Sequence, residues 1–189
     1  MLNKVVIPVA GKGTRLYPLT KITPKYMLPL GNKRVIDYIL DEVLLVEELT
    51  DIILVVSSNK TVIENYMVTN YGGLNITYVV QENQDGLASA IYCAKDFVGN
   101  NSFVLMLGDC IVVSNNEVSP LERIIESFNK LNSSATILVQ ELPKEELSRC
   151  GIVKPILMET MDMEFEIEDI VEKPQIEKCP SKYSIAGRY

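Results

Sequence analysis

The chain has 189 residues, 47% hydrophobic and 23% charged, with 18 basic against 25 acidic side chains and a net charge of −7. That balance suits a folded protein of ordinary domain size, and a net acidic chain is poorly suited to wrapping nucleic acid. Histidine is absent, which excludes a Ser-His-Asp or Cys-His nucleophile and any His-ligated metal; the chemistry left is that of carboxylates, lysines, arginines, backbone amides and a hard metal ion.

In chain order, Lys4 to Val9 is a short apolar run that predicts a first β-strand. The stretch Ala10 to Pro29 follows, AGKGTRLYPLTKITPKYMLP, rich in glycine, lysine and proline. Val35-Ile36, Ile39-Leu40 and Val43-Leu44 recur at helical spacing with Asp37, Asp41 and Glu42 on the opposite face, so a core-packing helix is expected there. Ile52 to Val56 is a continuous apolar run of the kind buried on both faces in a parallel sheet. A second helix is expected from Asn59 to about Tyr71, opened by Ser57-Ser58 as caps and stopped by Gly72-Gly73. Ile76 to Gln81 reads as a strand, Leu87 to Phe97 as an Ala-rich helix, and Phe103 to Leu107 as a buried strand running into Gly108-Asp109. Ser119-Pro120-Leu121-Glu122 opens a helix that runs from about Pro120 to Leu131.

Beyond that helix the pattern changes. Ala135 to Leu142, Gly151 to Ile156, Glu164 to Val171 and Tyr183 to Tyr189 are strand-like, and Lys144 to Ser148 reads as a helical turn. The expectation is an α/β protein with a mostly parallel sheet, helices on both faces and a β-rich last third, all in one domain spanning residues 1–189. No apolar run approaches the roughly 20 residues of a membrane-spanning helix, and the N-terminus lacks a secretory signature, so a cytoplasmic protein with no membrane partner is expected. The four cysteines are widely spaced and read as reduced thiols.

Charge placement points to the site. The first 36 residues hold seven of the 18 basic side chains (Lys4, Lys12, Arg15, Lys21, Lys25, Lys33, Arg34) and no acidic one, which leaves 11 basic and 25 acidic residues for the remainder. Such segregation focuses a small anion at one place. Gly11 and Gly13 let backbone N–H groups approach a polyphosphate, with Lys12, Arg15, Lys21 and Lys25 around them; the plain alternative is a solvated loop in which the glycines only turn the chain. A dinucleotide fingerprint is weak here, because Leu16 stands where the third glycine belongs.

Ligands of open α/β sheets bind beyond the carboxyl ends of the strands, and three polar loops are expected there: Gly11 to Lys25, Gln81 to Gly86, and Gly108-Asp109. Asp109, behind a glycine that clears space, suits Mg²⁺, or it caps the loop. Gln81 offers the donor and acceptor that a base edge requires, and Gly86 lets a flat ring approach backbone; an ordinary polar turn reads as well. Glu172-Lys173 after a strand suits a phosphate and sugar hydroxyls, or is a surface pair.

In this order, G-x-G-T-R-L-x-P-L-T, P-K-x-M-L-P, Q-x-x-x-D-G-L-A, L-G-D, G-I-V and V-E-K-P closely resemble the sugar-1-phosphate nucleotidylyltransferases, nearest to the UTP:glucose-1-phosphate uridylyltransferases and glucose-1-phosphate thymidylyltransferases. The resemblance runs from Lys4 to Tyr189. It implies a three-layer α/β/α Rossmann-like fold of the nucleotide-diphospho-sugar transferase type, Mg²⁺ as cofactor, and UTP or dTTP with a sugar 1-phosphate as partners, in a homo-oligomer. It assigns Val9, Ala10, Gly11, Gly13 and Thr14 to the nucleotide, Arg15 and Lys25 to its phosphates, Gln81 and Gly86 to the base, and Asp109 to the metal. Gly151, Glu172 and Lys173 are assigned to the sugar phosphate, with Lys173 on the phosphate. Arg15, Lys25, Asp109 and Lys173 are then the catalytic set.

The Ile7-to-Ala10, Pro24-to-Pro29 and Gly187-Arg188-Tyr189 segments resemble the uridylyl branch, and Gln84 to Ala90 the thymidylyl branch. Two departures stand out. The family's second metal-binding aspartate lies beyond the last residue given, so the chain reads as a truncated form, a naturally short form or a nucleotide-binding module with weakened catalysis. Lys182 stands where many relatives have asparagine.

Overall fold

A computed structural model describes residues 2–115, 118–156 and 164–189. The chain divides into two compact units, the first ending at Leu121 and the second beginning at Glu122.

In the first unit the elements run β1 (Lys4–Pro8), β2 (Pro29–Leu30), β3 (Lys33–Arg34), α1 (Val35–Leu44), β4 (Asp51–Val56), α2 (Thr61–Tyr71), β5 (Asn75–Val80), α3 (Leu87–Cys93), α4 (Lys95–Val98) and β6 (Val104–Leu105). β5, β4, β1 and β6 form one parallel sheet in that order. The apolar runs Val5-Val6-Ile7 and Ile52 to Val56 fill its two central strands and are almost wholly buried, at about 2 kcal/mol of transfer free energy for each large side chain. From β1 through β4 to β5 the chain steps in one direction across the sheet, and right-handed crossovers place α1 and α2 on one face. The step from β5 to β6 reverses direction and sends α3 and α4 to the other face. All four strands therefore end at the same edge, and β1 and β6 are the neighbours whose connections diverge there. That is the switch point at which open α/β sheets make a crevice.

The expected elements are present, with local differences. α2 opens two residues later than expected: Ser57 and Ser58 stay in the turn leaving β4, and Lys60 O accepts the first helical bonds from Ile63 and Glu64 (3.1 and 3.0 Å) with no side-chain cap. The helix expected from Leu87 to Phe97 is two, because at Ala94 the ladder tightens to 3₁₀ bonds (Ala94 N to Ile91 O, Phe97 N to Ala94 O, both 3.0 Å). The strand expected over Phe103–Leu107 keeps its regular pairing only at Val104 and Leu105, continued by Met106 N on Val6 O at 3.0 Å. Asp37 and Glu42, expected on the solvent face of α1, are 5% and 9% exposed, whereas Leu44 is 51% exposed. Asp37 is held inside because it accepts hydrogen bonds from Arg34 N and from the Tyr66 and Tyr71 hydroxyls.

α5 (Pro120–Leu131) has the expected bounds, with Leu121, Ile124 and Ile125 buried. The rest of the second unit is an antiparallel sheet of β7 (Val139–Glu141), β8 (Gly151–Pro155), β9 (Ile167–Glu172) and β10 (Tyr183–Ile185), in the order β7-β10-β8-β9. Lys144–Arg149 forms the expected helical turn as 3₁₀. β7 and β10 are shorter than the runs Ala135–Leu142 and Tyr183–Tyr189. Gly187 at φ +67° bends the chain out of extended geometry, although Leu138 N still reaches Arg188 O at 2.9 Å. Among the described residues, no helix is long and apolar enough to cross a membrane, and all four cysteines are free.

Candidate active site

The loop after β1 starts where the sheet ends. Val9 N donates to Val55 O at 2.7 Å, and Val9 and Ala10 are buried, so the chain leaves the edge from a fixed point. Gly11 lies against the Lys25 side chain: a Cβ there would stand 3.7 Å from Lys25 Cε. Gly13 is needed twice over. Its φ is +62°, and a Cβ would crowd Thr20 and Lys25 at 3.1–3.3 Å. Thr20 Oγ1 donates to Gly13 O at 2.7 Å and closes the loop on itself. A 3₁₀ turn, Thr14–Leu16, carries Arg15 outward. The sequence offered no mark that Thr20 is the loop's fastening; its role emerges only when the chain has turned back.

Lys25 opens another 3₁₀ turn, Lys25–Met27, anchored by Tyr26 and Met27, each 2% exposed. Burial pushes the Tyr26 phenol up to about 12. With its turn so fixed, the Lys25 Nζ donates to Asp109 Oδ2. Asp109 is brought there by Gly108. A Cβ on Gly108 would stand 2.5 Å from Val9 Cγ1 and 3.0 Å from Pro8 O, so only glycine lets the loop after β6 press against the end of β1. The two loops of the switch point are thus tied by one ion pair, between residues 84 apart in sequence.

At the same edge, Gln81 follows β5, with its backbone N on Val56 O at 2.8 Å and only 4% exposure. Its Nε2 donates to Gly86 O at 3.3 Å, which fixes the amide plane. Gly86 sits at φ +98°, ψ −177°, a backbone region that side chains avoid, and no heavy atom lies within 4 Å of where its Cβ would be. It therefore presents bare, open backbone. β5 is two strands from β1, about 10 Å at the usual strand spacing, a distance that a nucleoside bridges between base and phosphate.

The structure thus brings Val9, Ala10, Gly11, Gly13, Lys25 and Asp109 together, with Thr14 and Arg15 on the same loop and Gln81 and Gly86 along the same edge. Gly151, Glu172 and Lys173 belong to the second unit and form a cluster of their own. Gly151 pairs with Glu172 across β8 and β9, and a Cβ on Gly151 would stand 3.1 Å from Glu172 Oε2. Lys173 takes φ +47°, uncommon for a side-chain-bearing residue, and its N donates to Cys150 O at 3.0 Å. Its Nζ lies 3.1 Å from Glu172 Oε1, with both side chains more than half exposed. So exposed a pair holds weakly, and the lysine is available to an anion. Lys182 is engaged elsewhere, 2.8 Å from Glu141.

No cluster of three or more His, Cys, Asp or Glu side chains exists among the described residues. Asp109 therefore stands in no such cluster and offers its carboxylate beside Lys25 of the glycine loop. That donor set fits Mg²⁺, which takes one or two carboxylates and completes its shell with phosphate oxygens and water.

Compared with known proteins, residues 4–189 match the family model described as nucleotidyl transferase. The UTP–glucose-1-phosphate uridylyltransferase 2 of Staphylococcus saprophyticus is 35% identical over 210 aligned positions, which cover all of this chain and 71% of that protein. A crystal structure of UDP-glucose pyrophosphorylase complexed with UDP-glucose superposes with a TM-score of 0.89 at 31% identity, over all of this chain and 75% of the other. A putative glucose-1-phosphate thymidylyltransferase from Bacillus anthracis follows at TM-score 0.81 and 28% identity, over 98% of this chain and 69% of the other.

Proposed function

This chain belongs to the nucleotidyl transferase family, and within it we propose that the protein transfers the uridylyl group of UTP to glucose 1-phosphate, releasing pyrophosphate. The observation that carries the reading is the Lys25–Asp109 pair, which ties together the two loops of the switch point.

In the proposed reaction a phosphate oxygen of the sugar 1-phosphate attacks the α-phosphorus of UTP. The new P–O bond forms as the bond from the α-phosphorus to the bridging oxygen breaks, and pyrophosphate leaves with that electron pair. No protein nucleophile is required, because alignment and charge neutralisation supply most of the catalysis of such transfers. The backbone of Val9 to Thr14 cradles the triphosphate, and Arg15 and Lys25 balance charge on the α-phosphate and the departing pyrophosphate. When UTP enters, Lys25 exchanges part of its contact with Asp109 for phosphate oxygens. Asp109 would hold Mg²⁺, which when bound draws electron density from those oxygens. Gln81 reads the edge of the base, and the bare backbone at Gly86 lies against it. We assign Lys173 to the phosphate of the sugar 1-phosphate, Glu172 to sugar hydroxyls and the Gly151 backbone to the ring.

One observation favours dTTP as a second substrate. With no atom within 4 Å of a Cβ position at Gly86, a base laid against that backbone has open space beside it for the 5-methyl that distinguishes thymine from uracil. Competition between UTP and dTTP for glucose 1-phosphate, read as the ratio of nucleotide sugars formed, tests both readings. UDP-glucose in excess supports the first and dTDP-glucose in excess the second. Neither product, with ATP or GTP accepted instead, overturns the assignment of Gln81 and Gly86.

A further inference from the structure

Lys33 and Arg34, neighbours among the seven early cations, lie outside the site above. They line a solvent-open cleft of about 440 Å³ in the first unit, together with Thr23, Met27, Asn32 and Tyr66. The cleft is built by the β2–β3 hairpin, whose loop Gly31-Asn32 turns at φ +64°, and by the start of α1.

The Arg34 guanidinium is held by two contacts. Its Cζ stacks on the Tyr66 ring at 4.6 Å, and one nitrogen donates to Met27 O at 3.0 Å. The nearby Asp37 carboxylate, which also lines the cleft, does not consume that charge. Its oxygens accept from Arg34 N (2.8 Å), Tyr66 OH (2.8 Å) and Tyr71 OH (2.9 Å). Among the described residues no carboxylate lies within ion-pair distance of Arg34. A guanidinium placed over an aromatic ring, with one nitrogen bound to a carbonyl, keeps further donors for a phosphate or carboxylate. Lys33 is 2.6 Å from Asp41, but both side chains are more than 40% exposed, so the pair opens at little cost. Asn32 adds an amide at the rim.

The cleft shares a wall with the Lys25–Met27 turn. At one end of that turn Lys25 donates to Asp109; at the other, Met27 O accepts from Arg34, and Leu28 O accepts from Val35 N at 3.1 Å. An anion on the guanidinium competes with Met27 O for Arg34's donors, and Met27 belongs to the same turn as Lys25.

We propose that this cleft binds a small phosphomonoester through Arg34, Lys33 and Asn32, and that its occupancy changes the action of Lys25. The coupling half rests on the uridylyl-transfer reading; the binding half does not.

Titration calorimetry with glycerol 3-phosphate, with glycerol as the uncharged control, tests binding. Wild type is expected to bind one equivalent, Arg15→Met and Lys173→Met to bind as well as wild type, and Lys33→Met and Arg34→Met to bind at least about tenfold more weakly. Thermal melts confirm that the variants are folded, and Lys33→Met, altering an exposed side chain, keeps the test open if Arg34→Met fails to fold. The absence of wild-type binding overturns the proposal, as does binding that survives both cleft variants and disappears in Arg15→Met or Lys173→Met. Coupling is tested separately: saturating glycerol 3-phosphate is expected to shift KM for UTP or turnover by about fivefold or more in wild type and not in Lys33→Met. A filled cleft with unmoved kinetics overturns the coupling and leaves the assignment of the transfer site standing; binding without any turnover would count against uridylyl transfer alone.

Discussion

Gly108→Ala is the sharpest test of how the site is assembled. The added methyl would sit 2.5 Å from Val9 Cγ1, 3.0 Å from Pro8 O and 3.3 Å from Ile7 Cγ2. None of these can move aside cheaply: Val9 is β-branched and 2% exposed, Pro8 O is backbone, and Ile7 is fully buried. Overpacking of this kind costs about 1–3 kcal/mol. For a chain of this length that lowers the melting temperature by roughly 2–4 °C per kcal/mol, so about 4–8 °C at the middle of the range. The loop relieves the clash by lifting away from β1, which moves Asp109 from Lys25, and pyrophosphate release should fall at least about tenfold, in line with the cost of misplacing a reacting group. Gly73→Ala is the matched control. Nothing lies within 4 Å of its Cβ position and its φ is not positive, so its melting temperature should stay level or rise slightly. If Gly108→Ala melted with wild type and turned over normally, the packing of the β6 loop on β1 could not be what positions Asp109.

Three further outcomes are expected. Lys25→Ala and Arg15→Ala should each lower turnover by about 10²-fold, with melting curves little changed for exposed Arg15; near-normal rates in both would remove them from the chemistry. Tyr71→Phe leaves the buried Asp37 carboxylate one donor short and should cost about 1–2 kcal/mol in urea denaturation, an unchanged midpoint being the contrary result. At alkaline pH the Tyr26 phenol, raised by burial to about 12, and the Tyr71 phenol, raised by burial and then by its bond to Asp37, stay protonated when folded although they would ionise near 10 unfolded. Their contribution to stability is therefore full below pH 10 and lost as pH climbs toward 12. A denaturation series over that window in wild type and Tyr26→Phe should show a shallower loss in the variant.

The central architecture was legible because its signals are local. The apolar runs at Val5–Ile7 and Ile52–Val56, and the Pro120 start of α5, fix elements without help from distant residues, and the βαβ alternation then dictates which loops share an edge. That edge predicted the neighbourhood of Lys25 and Asp109, but the contact itself, across 84 residues, needed the fold. Asp37 was misplaced on the solvent face for the same reason. A carboxylate on an amphipathic helix reads as exposed unless donors are known, and its donors Tyr66 and Tyr71 arrive 29 and 34 residues later. The break at Ala94 has no glycine or proline to announce it. Arg34 over Tyr66, like Thr20 on Gly13, is a product of tertiary packing alone.

The most direct measurement is a ³¹P NMR time course of the protein with UTP, glucose 1-phosphate and Mg²⁺, in wild type and Asp109→Asn. The α-phosphate of UTP and the sugar 1-phosphate signal should disappear together as UDP-glucose and pyrophosphate appear in equal amounts, and the conversion should be strongly slowed in the variant. Release of orthophosphate or of uridine phosphates without a nucleotide sugar, or equal rates in the two proteins, would contradict nucleotidyl transfer at the Lys25–Asp109 edge.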